Sequence, residues 1–497
     1  MKSKHWSLFR AIIQLAFWLI FIVSIVYLHD PLSDVRYGLY PSLSIYSIFI
    51  GSITGHTLKY TFLGIAIAVL TVLSGRFFCG WICPLGATID ASDPVILSKA
   101  NNKQLKKVTR IKVLILLAAL LIAFLGFNAT GYSDPITIAY RGYELFLYPF
   151  ISYIGSEPLS WVLPGYAARD YPFYYYNWIW PAIIFIGILA LSLFFKRFWC
   201  RVLCPLGAIY ALLSHFSLLR RTVDADKCVH CGACVKGCRM GAISVDGTGT
   251  VEHECIKCFD CLKHCNYDAI QFRFLPPYKS KSIAHPVKGI TRKDLLIAAG
   301  SSVMIASTRL SLFAASHESH IIRPPGALTE SHFLDACIRC GQCMNVCPTN
   351  ALHPCMIEAG FYGMFTPRLV SRIGYCDFTC TRCGTICPTG AIQKLSLAKK
   401  QTFVIGTAYI IKDLCIPWSE STNCIVCEEV CPVQNKAITL DKKVVTNIKG
   451  EAVEVLLPVV HTELCIGCGI CENRCPVSGG GAIMVRKPKL TMGDSYG

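Results

Sequence analysis

Apolar residues concentrate in four long stretches near the N-terminus, whereas the rest of the chain mixes short apolar and polar runs. The four stretches cover about residues 11–28, 61–78, 111–128 and 178–195. Each approaches the roughly 20 residues that an α-helix needs to cross a lipid bilayer. Because the pattern repeats, it predicts four membrane helices and not one cleavable secretory signal.

Positive charge alternates between the segments that join these stretches. The N-terminus, the segment 79–110 and the segment after residue 195 are basic, whereas the segments 29–60 and 129–177 hold two lysines or arginines each. By the positive-inside rule, the N-terminus lies in the cytoplasm. The two outer segments contain apolar aromatic runs, which we expect to form short helices at the membrane surface.

A fifth stretch, Leu295–Ala315, is weaker because it is rich in Ala, Gly and Ser. Six basic residues precede it between positions 273 and 293, and only Arg323 follows before the next cysteine motif. This asymmetry predicts a crossing that leaves the chain after residue 316 outside the cytoplasm. A surface helix or a buried core helix is the alternative. The preceding Thr291–Leu296 is similar to a degraded twin-arginine export signal.

The composition agrees with a membrane protein. Of the 497 residues 53% are hydrophobic and 16% charged, against about 25% charged in soluble domains. These values exclude a disordered chain and argue against a wholly soluble one. The net charge of +17 lies mainly in the first 315 residues, where membrane orientation explains it. No basic face with interleaved stacking aromatics predicts nucleic-acid binding.

An internal repeat carries four cysteines. Residues 76–87 read RFFCGWICPLGA and residues 197–208 read RFWCRVLCPLGA, with eight of twelve positions identical. Both copies end a predicted span on the same side, so we expect two parallel repeats related by an axis along the membrane normal. This symmetry would bring Cys79, Cys83, Cys200 and Cys204 together. Four thiolates suit an iron–sulfur or metal site, and packing residues or two local dithiols are the alternatives.

Six cysteine quartets account for 24 of the 29 cysteines. Three cysteines at two-residue spacing wrap one [4Fe–4S] cubane, and the fourth ligates the other cluster of a pair. Zinc sites use separated Cys-x2-Cys pairs, and an odd count cannot form disulfides throughout. The quartets therefore predict six [4Fe–4S] clusters. The one cysteine outside the quartets and the repeat is Cys355, for which we expect a buried structural role.

Crossed ligation predicts how the quartets combine. For the first two quartets we expect the sets Cys228/Cys231/Cys234/Cys265 and Cys255/Cys258/Cys261/Cys238. For the last four, we expect the first quartet to pair with the last and the middle two with each other. The expected sets are Cys337/Cys340/Cys343/Cys475, Cys465/Cys468/Cys471/Cys347, Cys376/Cys380/Cys383/Cys431 and Cys415/Cys424/Cys427/Cys387.

The two Cys-x3-Cys-Pro repeats and the quartets at 228–265 resemble the membrane-integral, NapH-type iron–sulfur component of periplasmic nitrate reductase systems. The segment from about residue 290 resembles its NapG-type partner, an exported protein with four [4Fe–4S] clusters. The resemblance implies a quinol dehydrogenase that passes electrons to a periplasmic reductase. Here the two components are fused, and Arg292-Lys293 stands where that family has two arginines. The helical unit also resembles proteins that assist assembly of nitrous-oxide reductase or cytochrome oxidase.

These features predict an α-helical membrane bundle with α+β bacterial-ferredoxin-like [4Fe–4S] domains in a bacterial cytoplasmic membrane. We expect a four-helix domain at 1–215, a cytoplasmic two-cluster domain at 216–275, a linker and anchor at 276–316, and a periplasmic four-cluster domain at 317–497. The predicted function is quinol oxidation with electron transfer to an outer acceptor. An electron-wire subunit without a quinone site and a factor that reduces a client metalloenzyme are the alternatives.

The expected partners of this protein are membrane lipid, the quinone pool and a redox protein such as a multihaem cytochrome c or a molybdenum reductase. Quinol releases protons, and three side chains near the ends of the spans are candidates for its site, with His56 as a proton acceptor and Lys59 as a polar anchor. His56 and Lys59 stand at the outer start of the second span, and Asp90 follows the first cysteine repeat. A histidine or carboxylate at a helix end is more often simply solvated.

Overall fold

The computed structural model describes residues 4–28, 39–56, 58–92, 110–151, 174–275, 291–315, 321–446 and 452–487, with side chains 305–315 left out. Some predicted features lie outside these residues. They are the basic cluster between residues 93 and 109, the later part of the second outer segment, and most of the linker before residue 291.

An N-terminal helical unit is built from eleven α-helices in the described residues. Gly75, at φ 84°, ends α4 before the first cysteine repeat, and prolines begin the helices that follow each repeat. The helices are α1 (Lys4–Leu28), α2 (Leu39–Ser42), α3 (Ile45–Ile53), α4 (Thr61–Ser74), α5 (Phe77–Trp81), α6 (Pro84–Ser92), α7 (Ile111–Phe124), α8 (Thr130–Ser133), α9 (Pro135–Gly142), α10 (Ile179–Ala190) and α11 (Pro205–Leu213). Two π-helical turns, Tyr143–Leu147 and Trp199–Leu203, interrupt the series.

Helices form at all four predicted spans, but most of them are short. In the described residues one helix, His5–Val26, is long and apolar enough to cross a membrane. The other apolar helices have 10–17 residues: Thr61–Ser74, Ile111–Phe124, Ile179–Leu193 and Pro205–Phe216. The four-helix membrane bundle therefore stays a prediction.

Of the two apolar aromatic runs in the outer segments, residues 39–53 are mostly buried in the helical unit, contrary to the expectation of an interfacial helix. The second run, residues 143–161, lies outside the described residues from position 152 on, so its placement stays a prediction. Tyr46 and Ile50 of α3 and Tyr140 of α9 are almost completely buried. Helix α3 contacts α7 and α11, and α9 contacts α6 and α10. Composition misled the prediction, because an apolar aromatic run suits a membrane surface and a protein interior equally well.

Two short antiparallel strands, β1 (Leu219–Val223) and β2 (Ile270–Phe274), frame the first two quartets. Helical turns α12 (Ala233–Lys236) and α13 (Asp260–Lys263) lie between them and contact each other. Helix α14 (Arg292–Ala315) then runs beside α7, and Ser302 Oγ donates to the Ala118 carbonyl. The predicted fifth stretch is thus helical.

The C-terminal domain carries the last four quartets on short helices and on six short strands. In the described residues the strands form three two-stranded antiparallel sheets, which pair the first strand with the second, the third with the sixth and the fourth with the fifth. In the described residues its helices are α15 (Glu330–Ala336), α16 (Gln342–Asn345), α17 (Gly360–Gly363), α18 (Arg382–Ile386), α19 (Leu397–Gln401), α20 (Ile416–Ser419), α21 (Val426–Glu429) and α22 (Ile470–Arg474). Its strands are β3 (Leu352–Pro354), β4 (Pro367–Leu369), β5 (Thr407–Ile410), β6 (Ile438–Thr446), β7 (Ala452–Val460) and β8 (Ile483–Arg486).

The two quartet-bearing domains contact opposite ends of the helical unit. At one end, Ser7 Oγ donates to Asp260, and Trp81 Nε1 donates to the Lys257 carbonyl. At the other end, Asn345 Nδ2 donates to the Ile25 carbonyl, near the end of α1. Helix α1 therefore touches one domain at its start and the other at its finish. We call these ends the inner end and the outer end.

Candidate iron–sulfur cluster sites

The cysteines of the first two quartets converge in two groups. Cys228, Cys231, Cys234 and Cys265 line one cavity with an empty volume of about 370 Å³. The second group consists of Cys255, Cys258 and Cys261. Cys238 lies close enough to interact electrostatically with each of them. These are the groups that crossed ligation predicts. That each binds a cluster remains a prediction for these residues.

The last four quartets combine differently from the prediction. Cys337, Cys340 and Cys343 share a cavity of about 370 Å³ with Cys387 instead of Cys475. Cys415, Cys424 and Cys427 share one of about 390 Å³ with Cys475 instead of Cys387. The two remaining groups are Cys376/Cys380/Cys383 with Cys347, and Cys465/Cys468/Cys471 with Cys431.

The reason for this correction is that quartets neighbouring in sequence fold against each other. Helix α16 of the third quartet contacts α18 of the fourth, and α21 of the fifth contacts α22 of the sixth. Closing the shorter loop costs less chain entropy than joining the first quartet to the last. Each half of the C-terminal domain therefore repeats the arrangement of the first two quartets.

The four groups of the C-terminal domain form a row. Cys343 and Cys383 are electrostatic neighbours across the first two groups. Cys376 N donates to the Cys468 carbonyl at 2.8 Å, which joins the second and third groups. Cys471 and Cys427 connect the third and fourth. The group that contains Cys387 contacts the helical unit, because Lys59 donates to the Pro388 and Thr385 carbonyls.

Residues with left-handed backbone conformation recur in the four quartets that have the spacing Cys-x2-Cys-x2-Cys-x3-Cys. The residues directly before and after the second cysteine have φ between 51° and 92° in all four, namely His230/Gly232, Lys257/Phe259, Arg339/Gly341 and Gly467/Gly469. For a non-glycine residue this conformation costs roughly 1–2 kcal/mol. Phe259 is held in it by Trp6, Trp81 and Phe272, whose rings lie 4.7–5.9 Å from its own. The sequence gives no sign of this strain at Phe259.

Backbone N–H groups point at the fourth cysteine of several quartets. Ala242 N lies 3.3 Å from Cys238 Sγ, Ala351 N 3.3 Å from Cys347 Sγ, and Ala482 N 3.4 Å from Cys475 Sγ. Such donors offset negative charge on sulfur. The cysteine cavities therefore fit an iron–sulfur cluster, which needs four convergent sulfurs and hydrogen-bond donors around them.

The cysteines of the internal repeat also meet, at the inner end of the helical unit. Cys79, Cys83, Cys200 and Cys204 are all buried and are close electrostatic neighbours. Gly207 N donates to Cys204 Sγ at 3.2 Å. The repeats thus bring four sulfurs together as the proposed symmetry predicts.

Each repeat lends an arginine to the other. Arg197, fully buried, donates to the carbonyls of Cys79 and Gly86 in the first repeat. Arg76 Nη2 would lie 3.0 Å from a Cβ placed on Gly207 of the second repeat. Arg76 is fully buried, and its Nε and Nη2 have no hydrogen-bond partner in the described structure. Two buried guanidinium groups beside four sulfurs fit an anionic cluster at this site.

An ion-pair layer joins this cysteine group to the inner ferredoxin domain. Glu254 accepts from Arg76 and from Lys112. Burial alone would raise the pKa of Glu254, but the two cations hold it below its usual value. Arg197 also has Cys258 within electrostatic range, so it lies between the repeat cysteines and the neighbouring group.

Asp90 belongs to the same layer. Its carboxylate accepts from Arg197 at 2.7 Å, from Gln14 at 3.0 Å and from Arg239 at 3.0 Å. Burial would raise the pKa of Asp90, but Arg197 holds it well below its usual range. Asp90 therefore stays ionised at neutral pH, and these contacts give it a structural role. Its predicted part in proton handling gains no support.

His56 and Lys59 lie at the outer end, against the C-terminal domain. Lys59 N donates to the Pro388 carbonyl and Lys59 Nζ to the Thr385 carbonyl, both at 3.0 Å. These bonds hold the turn that carries Cys387. Burial lowers the pKa of His56, and Asp335 opposes this shift only partly.

A buried polar group at the outer end escaped the sequence reasoning. Glu144, in a π-helical turn, is fully buried, and its Oε2 would lie 3.0 Å from a Cβ on Gly341. Its other oxygen accepts from Asn345. Gln342 has both amide atoms unpartnered in the described structure. An unbroken helical pattern hides such a turn, although π-helical turns are frequent at functional sites.

In the described residues, no three His, Cys, Asp or Glu side chains come close enough to hold a single metal ion.

Comparison with known proteins identifies 4Fe-4S domains along the chain. A family model described as a 4Fe-4S binding domain matches residues 60–100, 176–223 and 383–401, and so covers both cysteine repeats. A second 4Fe-4S binding domain model matches 221–244 and 332–353, and a 4Fe-4S dicluster domain matches 420–478. The chain therefore carries [4Fe–4S] ferredoxin-type domains. No solved structure matches.

Several proteins similar in sequence to this chain are ferredoxin-type proteins. The methylamine utilization ferredoxin-type protein MauM of Methylorubrum extorquens is 36% identical over 216 residues, which are 41% of this chain and 93% of MauM. The ferredoxin-type protein NapG of Escherichia coli is 34% identical over 160 residues, 31% of this chain and 65% of NapG. MauN of M. extorquens is 28% identical over 212 residues, 42% of this chain and 60% of MauN.

Double substitutions test the corrected grouping. Cys337→Ala and Cys387→Ala should each remove about four irons per chain, and the double variant should also remove about four, because both ligate one cubane. Cys337→Ala combined with Cys475→Ala should remove about eight. Iron and acid-labile sulfide in anaerobically purified protein measure this. Loss of about eight irons from the Cys337/Cys387 double variant and about four from the Cys337/Cys475 double variant would instead support pairing of the third quartet with the sixth.

Acid should strip the clusters. Burial raises the pKa of Cys261 and Cys376 to about 12 and that of Cys468 to about 11 when no iron is bound. Iron must displace these protons, so binding weakens as the pH falls. Iron retained against a chelator should decrease steadily from neutral to acidic pH. Retention that rises on acidification would contradict thiolate ligation.

Proposed function

Since the chain belongs to the family of ferredoxin-type iron–sulfur proteins that includes MauM and NapG, we propose that it is a membrane-bound quinol dehydrogenase. It takes electrons from the quinone pool and passes them to an acceptor outside the cytoplasm.

The observation that carries this proposal is the contact of the helical unit with the Cys387 turn. Lys59 binds the carbonyls of Thr385 and Pro388, on either side of Cys387. The nearest group of the outer row is thereby fixed to the outer end of an apolar helical unit. A quinol dissolved in lipid reaches such an end without leaving the membrane.

Six quartet groups and the repeat group are proposed to hold [4Fe–4S] clusters. Such a cluster accepts and releases one electron at a time. Quinol oxidation to quinone releases two electrons and two protons. The row of groups behind Cys387 accounts for single-electron departure, and His56 and bulk water at the outer end account for the protons.

The proposed topology has the inner ferredoxin domain in the cytoplasm and the C-terminal domain outside. The contacts of the two domains with opposite ends of α1 support it. Helix α14, beside α7, would be the crossing that connects them. The NapH-type resemblance of the helical unit stays part of this proposal.

Menaquinol added anaerobically to cluster-replete protein in detergent should bleach the visible cluster absorbance on a turnover timescale. Menaquinone added to the same sample is the control, and should leave the absorbance unchanged. Dithionite shows that the clusters are intact and reducible. Bleaching by dithionite without bleaching by menaquinol would contradict quinol oxidation. The remaining functions would then be an electron-wire subunit or a factor that reduces a client metalloenzyme.

Replacing His56 should slow the menaquinol reaction. Because burial lowers the pKa of His56 below its usual 6.5, the imidazole is neutral and able to accept a proton at pH 7. We expect the rate for the native protein to fall only at pH values below the usual histidine pKa of 6.5. The rate of His56→Gln should be about tenfold lower at pH 7, with a flatter profile. His215→Gln, an exposed histidine at the inner end and away from His56, is the matched control. Equal pH profiles in all three proteins would remove His56 from the mechanism.

A further inference from the structure

An open cavity at the inner end, which we call the inner basic cavity, is not used by the proposed reaction. It lies between α1, α6 and the inner ferredoxin domain, and its empty volume is about 1600 Å³, roughly four times that of a cysteine cavity. Five basic and two acidic side chains line it: Arg10, Lys196, Lys236, Arg239 and Lys263, with Asp90 and Asp260. His264 and Ser7 complete the polar lining.

The two carboxylates of this cavity are already neutralised. Asp90 accepts from Arg10, Arg197 and Arg239. Asp260 accepts from Arg239 at 2.6 Å and from Ser7 at 2.8 Å. These bonds form the floor of the cavity and consume its negative charge. The rim lysines Lys196, Lys236 and Lys263 have no carboxylate partner in the part of the chain that the structure describes. The cavity is therefore a site of unbalanced positive charge.

An exposed apolar stripe leads away from the inner basic cavity. Leu8 lines the cavity and is 61% exposed. Ile12, Leu15 and Leu19 follow it along one face of α1 and are also about half exposed. Next to Lys196, Leu193 and Phe194 are similarly exposed. Helical spacing of three and four residues puts the α1 side chains in a single line.

We propose that the inner basic cavity binds the phosphate of an anionic phospholipid whose acyl chains lie on the α1 stripe. The inference rests on the proposed function only in requiring that the helical unit lies in a membrane. Cationic pockets at the cytoplasmic edge of membrane helices suit anionic headgroups, and a free phosphate or an acidic protein would leave the apolar stripe uncovered. The lipid would join α1 to the ferredoxin domain beside Cys238 and Cys265.

Lipid retention tests the site without any redox readout. The triple variant Lys196→Gln, Lys236→Gln, Lys263→Gln is compared with the native chain in vesicles of phosphatidylcholine with and without phosphatidylglycerol. The matched control is Lys442→Gln, Lys443→Gln, two exposed lysines of β6. Native mass spectrometry of the extracted protein counts bound phosphatidylglycerol.

The native chain and the control should retain phosphatidylglycerol, and the triple variant should bind it roughly a hundredfold more weakly because three cationic contacts are lost. Inorganic phosphate at equal concentration should not displace the lipid. Equal retention in all three proteins, or displacement by phosphate alone, would overturn the proposal. Unchanged lipid retention in the triple variant, together with weaker and more salt-sensitive binding of an acidic soluble ferredoxin, would overturn it in favour of protein docking. Because menaquinol bleaching is a separate measurement, its failure would not be mistaken for failure of the lipid site.

Discussion

The structure depends on the balance of negative sulfur and positive donors in places that water does not reach. Four thiolates buried together repel one another, and each is costly to ionise away from water. The chain meets this cost locally, with left-handed residues in the quartet loops, N–H groups aimed at sulfur, and guanidinium groups beside the repeat cysteines. Arg76 and Arg197 serve two sides at once, since each lies beside the repeat cysteines and also pairs with a buried carboxylate, Glu254 or Asp90.

The described contacts combine seven cysteine groups into two sets separated by the helical unit. The inner set consists of the two groups built from the first two quartets and the group of repeat cysteines, with Arg197 between Cys200 and Cys258. The outer set is the row of four that begins at Cys387. The apolar helical unit lies between the sets, so the inner and the outer cysteine groups face different ends of this unit.

Much of the cysteine chemistry could be predicted from sequence, because spacing within a loop fixes which sulfurs meet. The grouping around Cys265 and the meeting of Cys79 with Cys200 follow from spacing and symmetry. The grouping around Cys387 and Cys475 does not, because every fourth cysteine has the same local signature. The partner is chosen by which short helices pack, such as α16 with α18. The burial of α3 and α9 and the strain at Phe259 likewise depend on tertiary neighbours that periodicity does not report.

The exchange of arginines between the two repeats bears on how this fold arose. Arg197 completes the turn of the first repeat and Arg76 lies against the turn of the second, so neither half supplies its own guanidinium. Self-complementary contacts of this kind are those of an isologous interface between identical subunits. An ancestor half the length of the helical unit would have built the same sulfur site as a homodimer. Gene duplication and fusion would then have joined both subunits in one polypeptide.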